Sequence, residues 1–191
     1  ESELKALKSQ MNPHFIFNAL NSIQVQFMYG DKLVANEQLN NFTYLTRQIL
    51  EVSGKKQIAI SDEVDILTKY LELEKLRFQK DFTYTISVAE NIDEDYHKVP
   101  PMLIQPIVEN SLKHGLMHKK GAKTIHVHFD IDQNETHIIC TVKDNGIGRT
   151  KAAEIKAKNN SEHNSFSTSS IIQRLELLNT QKQIKNLIEY Q

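Results

Sequence analysis

A single cysteine in 191 residues leaves no partner for an internal disulfide. Cys140 stands in an alternating apolar run and reads as a small buried side chain. So few thiols suit a reducing compartment. Neither sign of charge dominates: the formal net charge is -1, without the basic excess of a general nucleic-acid surface, so no nucleic-acid partner is expected. No apolar run reaches the ~18 residues of a membrane-spanning helix, and no secretory signal pattern is present. The chain opens directly in a charged helical pattern and is expected to be a fragment of something longer. A hydrophobic content of 39% is enough for a packed core, in one large domain or two small ones.

The chain shows two regimes and no internal repeat. Residues 1–29 carry a helical stripe of Leu4, Leu7, Met11, Phe15, Asn18, Ser22, Val25 and Tyr29, and a second stripe of Leu20, Ile23 and Phe27. Two stripes imply more than one packing neighbour. Pro13 removes a backbone donor and is expected to bend this helix just before His14. Gly30-Asp31 makes a turn with Asp31 as N-cap. A second helix carries Val34, Leu39, Phe42, Leu45 and Ile49 and ends at Ser53-Gly54. Such a hairpin cannot bury both stripes alone; pairing two copies into a four-helix bundle would.

From residue 56 the pattern is mixed. A short strand at 57–60 leads to a helix capped by Ser61, with Asp62 and Glu63 in its first turn and Leu67, Tyr70, Leu71, Glu74 and Phe78 along it. Strands are expected over 82–88, 125–131 and 137–142, the last two joined as a hairpin. A helix is expected from Pro100-Pro101 to about Leu116, another over 151–158 and a third over 171–178, with a polar, glycine-free loop at 159–170. The fold class is α+β: a dimerising helical hairpin over 1–54, then an α/β sandwich over 55–191, its helices on one face of a mostly antiparallel sheet. Residues 185–191 begin another strand with nothing after it to close the sheet, so the last strands are expected to be missing.

Three segments carry chemistry. His14 offers a neutral imidazole, the nitrogen nucleophile available near neutral pH, and Asn18 lies one turn on, able to orient the ring or a water. Asn110, Lys113 and His114 fall at i, i+3 and i+4 and are expected to share a helix face. An amide oxygen on Asn110 suits Mg²⁺, which prefers oxygen ligands and keeps waters. Lys113 and His114 can meet phosphate oxygens, and Glu109 can hold a metal-bound water. In Asp144-Asn145-Gly146-Ile147-Gly148, Asp144 can accept a hydrogen bond from a base amino group, and Gly146 and Gly148 permit backbone angles closed to other residues.

With these residues in hand, the chain resembles the catalytic core of a sensor histidine kinase of the LytS type. The segments LKSQMNPHFIFNALNSI (7–23), VPPMLIQPIVENSLKHGL (99–116) and DNGIG (144–148) carry the resemblance, with Tyr70-Leu71 and Arg77-Phe78 in a linking helix at 62–79. It implies a Bergerat-type (GHKL) ATP-binding domain after the hairpin and a homodimer. It further implies ATP and Mg²⁺ as cofactors, His14 as phospho-acceptor, Asn110 as Mg²⁺ ligand, and Asp144 as adenine partner. Lys113 and His114 would lie near the phosphates. A response-regulator receiver aspartate is the implied next acceptor, and a membrane sensor upstream would make this the cytoplasmic domain of an inner-membrane protein. The family's second glycine-rich segment is replaced here by residues 164–170, where Ser165 and Ser167 are expected to present backbone N–H groups to phosphate ahead of Arg174. That departure motivates an alternative: a degenerate, non-catalytic module that binds nucleotide or a partner. A third reading, an ATPase driving a clamp, gives the His14 segment no role.

Overall fold

The structure, a computed structural model, describes residues 13–78 and 81–148, and of Pro13 and His14 the backbone alone. Expectations on residues 1–12, on the 151–158 and 171–178 helices, on the 159–170 loop with Ser165 and Ser167, on Arg174 and on 185–191 lie outside those residues. The expected bend before His14 also falls at that limit, since α1 (Pro13–Tyr29) is described from Pro13 onward.

Gly30 breaks the chain and α2 (Lys32–Val52) begins with Asp31 as N-cap, its carboxylate accepting from the Leu33 N–H at 2.8 Å. This satisfies one of the donors left open at a helix start. Strand β1 (Ile58–Ala59) feeds straight into α3 (Ile60–Phe78). Ser61 does not cap this helix. Its hydroxyl donates to Asp95 at 2.7 Å, and the first-turn N–H groups of Ile60 and Ser61 donate to the carbonyls of His97 and Glu94. A neighbouring loop thus satisfies donors that the sequence suggested were met locally. Strand β2 (Phe82–Val88) follows, then β3 (Lys98–Val99), which pairs antiparallel with β1.

Pro100-Pro101 delays the next helix by one turn. Met102 takes φ +55°, and its N–H donates to the Glu63 carboxylate, 1% exposed, at 2.9 Å. Helix α4 then runs over Gln105–Asn110 and continues as a wider π-turn over Ser111–Leu116, closed by Met117 N–H to the Leu112 carbonyl, five residues back. Such wide turns occur mostly as single insertions, often at functional sites. Strands β4 (Lys123–Ile131) and β5 (Ile138–Asp144) form the expected hairpin. Its loop is organised by Asp132, which accepts from the N–H groups of Thr136 and His137. These bonds hold the Asp132 carboxyl well below its usual range.

The three-stranded sheet has order β2-β4-β5, with β2 parallel to β4 and β4 antiparallel to β5. Two of the three pairings in the described residues are antiparallel, and the parallel one spans the crossover through α4. Ile125, Val127, Phe129 and Ile131 face the core, with Phe82, Tyr84, Ile86 and Val88 beside them and Ile138, Cys140 and Val142 beyond. The other face carries Thr85, Ser87, His126 and His128, the hydroxyls bonded across the strands to the imidazoles. One covered and one polar face is the pattern of the expected sandwich. Cys140 is half-buried rather than sealed, yet burial still pushes its thiol up to about 12.

Helix α3 is the centre. It touches α1, α2, β1, β2 and β3, and Ile60, Ile66, Leu67, Tyr70, Leu71 and Leu73 are all buried. On α1 the buried line is Phe15, Ala19 and Ile23, which mixes the two expected stripes. Phe15 packs on Tyr70 with ring centroids 4.7 Å apart. Phe17, two residues on, is 67% exposed. Two residues along a helix is a turn of about 200°, so one partner cannot cover both. Val25 and Tyr29 are exposed for the same reason: α3 and α2 cover one strip of α1 only. Phe15→Ala should therefore cost about 3–5 kcal/mol in equilibrium urea denaturation, and Phe17→Ala far less.

Candidate active site

Helix α1 starts the site. His14 lies in its first described turn, and Asn18 follows one turn later. Asn18 and the buried Phe15 form one wall of a cavity of about 270 Å³. From α3 come Tyr70, Glu74 and Arg77; from α4 and its wide turn come Glu109, Leu112, Lys113 and then Met117. Three of the expected site residues, Asn18, Glu109 and Lys113, are thus brought together from helices some ninety positions apart in sequence. Asn110 and His114 do not line this cavity. Lys113 and Glu109, four residues apart, line the cavity together, and the winding widens at Ser111 between them.

Tyr70, Glu74 and Arg77 received no role from the sequence. Glu74 falls on the apolar stripe of α3 and is 4% exposed. Burial raises its carboxyl to about 6, with the Glu109 charge adding to that and Arg77 opposing it. Arg77 Nη1 donates to Glu74 Oε2 at 3.3 Å, and Nη2 lies 3.5 Å from Met117 Sδ. Burial also raises the Tyr70 hydroxyl, helped by Glu74 and Glu109. A carboxylate on a core stripe with an arginine three positions on was the available signal, since an unpaired charge there would be costly.

The Asp144–Gly148 turn closes against the end of the wide helix. Gly146 stands so near Gly115 that a Cβ there would lie 2.5 Å from the Gly115 Cα. The Ile147 N–H donates to the Gly115 carbonyl at 3.1 Å, and Gly146 N–H donates to Asp144 Oδ1 at 2.8 Å. Gly146 is therefore required by contact. Positive φ belongs to Gly148, at +78°. Asn145, to which the sequence assigned no part, is the joint. Its side chain accepts from Thr124 N–H at 2.9 Å and donates to the Ala122 carbonyl at 3.1 Å, while its own carbonyl accepts from Lys119 Nζ at 2.7 Å. Asp144 is exposed beside this contact, so both glycine-bearing motifs meet at one place.

A histidine kinase family model matches residues 2–82. The sensor histidine kinase/phosphatase LytS of Staphylococcus aureus strain MRSA252 is 34% identical over 153 residues, which are 79% of this chain and 25% of that protein. Its counterparts in strains Mu50 and N315 match to the same extent. The chain belongs to the LytS-type histidine kinases. It spans about a quarter of the length of these relatives. As a member of this family, the chain carries its family match across α1, α2 and α3, which include His14 and the Glu74–Arg77 pair.

Among the described residues no three His, Cys, Asp or Glu side chains gather as a metal cage. The half-buried Asn110 amide beside Glu109 instead fits a cation that keeps most of its waters and leans on phosphate oxygens, as Mg²⁺ does. No described helix is long and apolar enough to cross a membrane.

Two changes test this geometry. Gly146→Ala should destabilise the fold by about 1–3 kcal/mol, because the Gly115 backbone and the Asp144 carboxylate stand in the way, whereas Gly54→Ala, with open space around it, should be near neutral in the same melts. Glu74 tests the electrostatics. Its folded-state carboxyl lies above the ordinary 4.5, so its favourable contribution is present below about pH 4.5 and is lost as pH rises through about 6. Glu74→Gln should therefore gain on the parent chain by up to about 2 kcal/mol between pH 4.5 and pH 7. A pH-independent difference in urea denaturation would contradict the raised carboxyl.

Proposed function

We propose that the chain is the core of a sensor histidine kinase that transfers the γ-phosphoryl group of ATP to His14 and passes it to a receiver aspartate of a response regulator. The observation that carries this reading is the shared cavity: Asn18, one turn from His14, faces Glu109 and Lys113 of the segment that would hold the nucleotide phosphates. Residues 1–54 serve as the phosphotransfer and dimerisation hairpin, and 55–191 as a Bergerat-type ATP-binding domain.

In this scheme Lys113 and His114 meet phosphate oxygens, and Asp144 accepts from the adenine amino group beside the Gly146–Gly148 turn. Asn110 holds Mg²⁺, which when bound supplies neutralising charge to the phosphates. Glu109 orients a metal-bound water. Ser165, Ser167 and Arg174 complete the phosphate side. Asn18 orients the His14 ring. In-line transfer asks for positioning and charge, not deep burial.

Homodimerisation is supported by apolar side chains left exposed on the hairpin, among them Phe17, Val25, Met28, Tyr29 and Leu33. So many large apolar side chains exposed on one hairpin point to an interaction surface, and pairing two hairpins into four helices would cover them. A sensor region in the membrane upstream would make this part cytoplasmic.

Incubation with γ-labelled ATP and Mg²⁺ should yield an acid-labile, alkali-stable label on the chain, and His14→Gln should reduce it to background. Label persisting in His14→Gln would sink the assignment.

A further inference from the structure

The wall of the cavity contributed by α3 has no part in the scheme above. Arg77 is 26% exposed there, and its partners among the described residues fix it on three sides: Glu74 by a hydrogen bond, Met117 by its sulfur, and the Phe78 ring at 5.6 Å. Glu74 is in turn held in the core. A guanidinium has five N–H donors in a planar fork, and a thioether is a weak acceptor, so this anchoring leaves most of the donor capacity unused by strong acceptors. Lys113 stands on the same cavity from α4, so two cations line it together with Asn18, which follows His14 by one turn of α1. Glu74 and Glu109 balance those cations, which makes the cavity neutral until an anion enters.

We propose that Arg77 is a catalytic residue that donates to the oxygens of the phosphoryl group in transit to His14, and that Glu74 is the positioning residue that aims it. This rests on the kinase reading. A lone pair of a His14 ring nitrogen forms the N–P bond to the γ-phosphorus. The bond from phosphorus to the β,γ-bridging oxygen breaks, and its electron pair leaves with ADP. The ring, left as an imidazolium, gives its remaining N–H proton to water. Arg77 meets charge on the transferring oxygens with a preorganised fork. The groups facing Glu74 are Tyr70 and Arg77 from its own helix and Glu109 and Lys113 from α4, with Phe15 and Asn18 across the cavity from α1.

The test uses the whole 191-residue chain with Arg77→Gln, Arg77→Lys and Glu74→Gln. Measured are ATP affinity by fluorescence titration, the labelling rate at saturating ATP, and thermal melting. Arg77→Gln should slow saturated labelling about 100-fold, with ATP affinity changed less than about threefold. Because it strands the buried Glu74 carboxylate, melting is read in the double variant Arg77→Gln/Glu74→Gln, which should melt close to Glu74→Gln and still label slowly. Arg77→Lys should recover only part of the rate, since a point charge lacks the fork. Glu74→Gln should slow labelling less and remove the fall in rate that the parent chain shows as Glu74 protonates below about pH 6. A purely structural role would restore the rate along with melting in the double variant and leave the pH profile unmoved; that outcome overturns the proposal. So does full-rate labelling of His14 in Arg77→Gln, which leaves the kinase reading standing. A parent chain that binds ATP and never labels on His14 defeats both.

Discussion

Burial of α3 on nearly every side is the constraint on which the rest depends. Phe15 rests on Tyr70, and Leu67, Leu71 and Leu73 carry the same core toward Phe82 and the inner face of β4. The helical hairpin and the sheet thereby share one helix and one apolar core. Without that shared packing, α1 would have no fixed position relative to α4, and Asn18 would not meet Glu109 and Lys113. Function follows from a packing contact between two aromatic rings as much as from the reactive groups.

The same burial makes the cavity electrostatically unusual. A helix covered by α1, α2 and strands has little water around it, so Glu74 is driven up to about 6 by its surroundings, with Arg77 as its bonded partner among the described residues. A buried ion pair of this kind adds little stability over an apolar pair. Its presence on the wall facing Asn18 is therefore better explained by what Arg77 does at the cavity than by what the pair does for the fold. Glu63 is a second buried carboxylate on α3, and it meets the Met102 N–H at the turn that launches α4. One helix thus sets both the cation that lines the cavity and the start of the opposing segment.

Much of this was legible in the residues. Period and turn chemistry located α1, α2, α3, the β4–β5 hairpin and the Asp31 cap, because each depends on near neighbours in sequence. The motif at 109–115 and the turn at 144–148 were visible as chemistry, and Asn18, Glu109 and Lys113 do converge. What was not legible depended on which partner covers which face. Phe17 and Phe15 look alike in a helical pattern, and only α3 decides that one is buried. Ser61 looks like a cap, and only the 94–97 loop takes over its task. Gly146 looks like a turn glycine, and only Gly115 shows that it is there for contact.

The sequence by itself determined α1, α2, α3, the β4–β5 hairpin, the one-sided sheet and the family, because propensity, period and motif are properties of short windows. The tertiary structure alone decided the wide turn at Ser111, the contact of Gly146 with Gly115, and the gathering of Glu74 and Arg77 with Asn18. Those depend on distances between helices far apart in the chain, set by side-chain volume and the cost of burying charge, which no local pattern records.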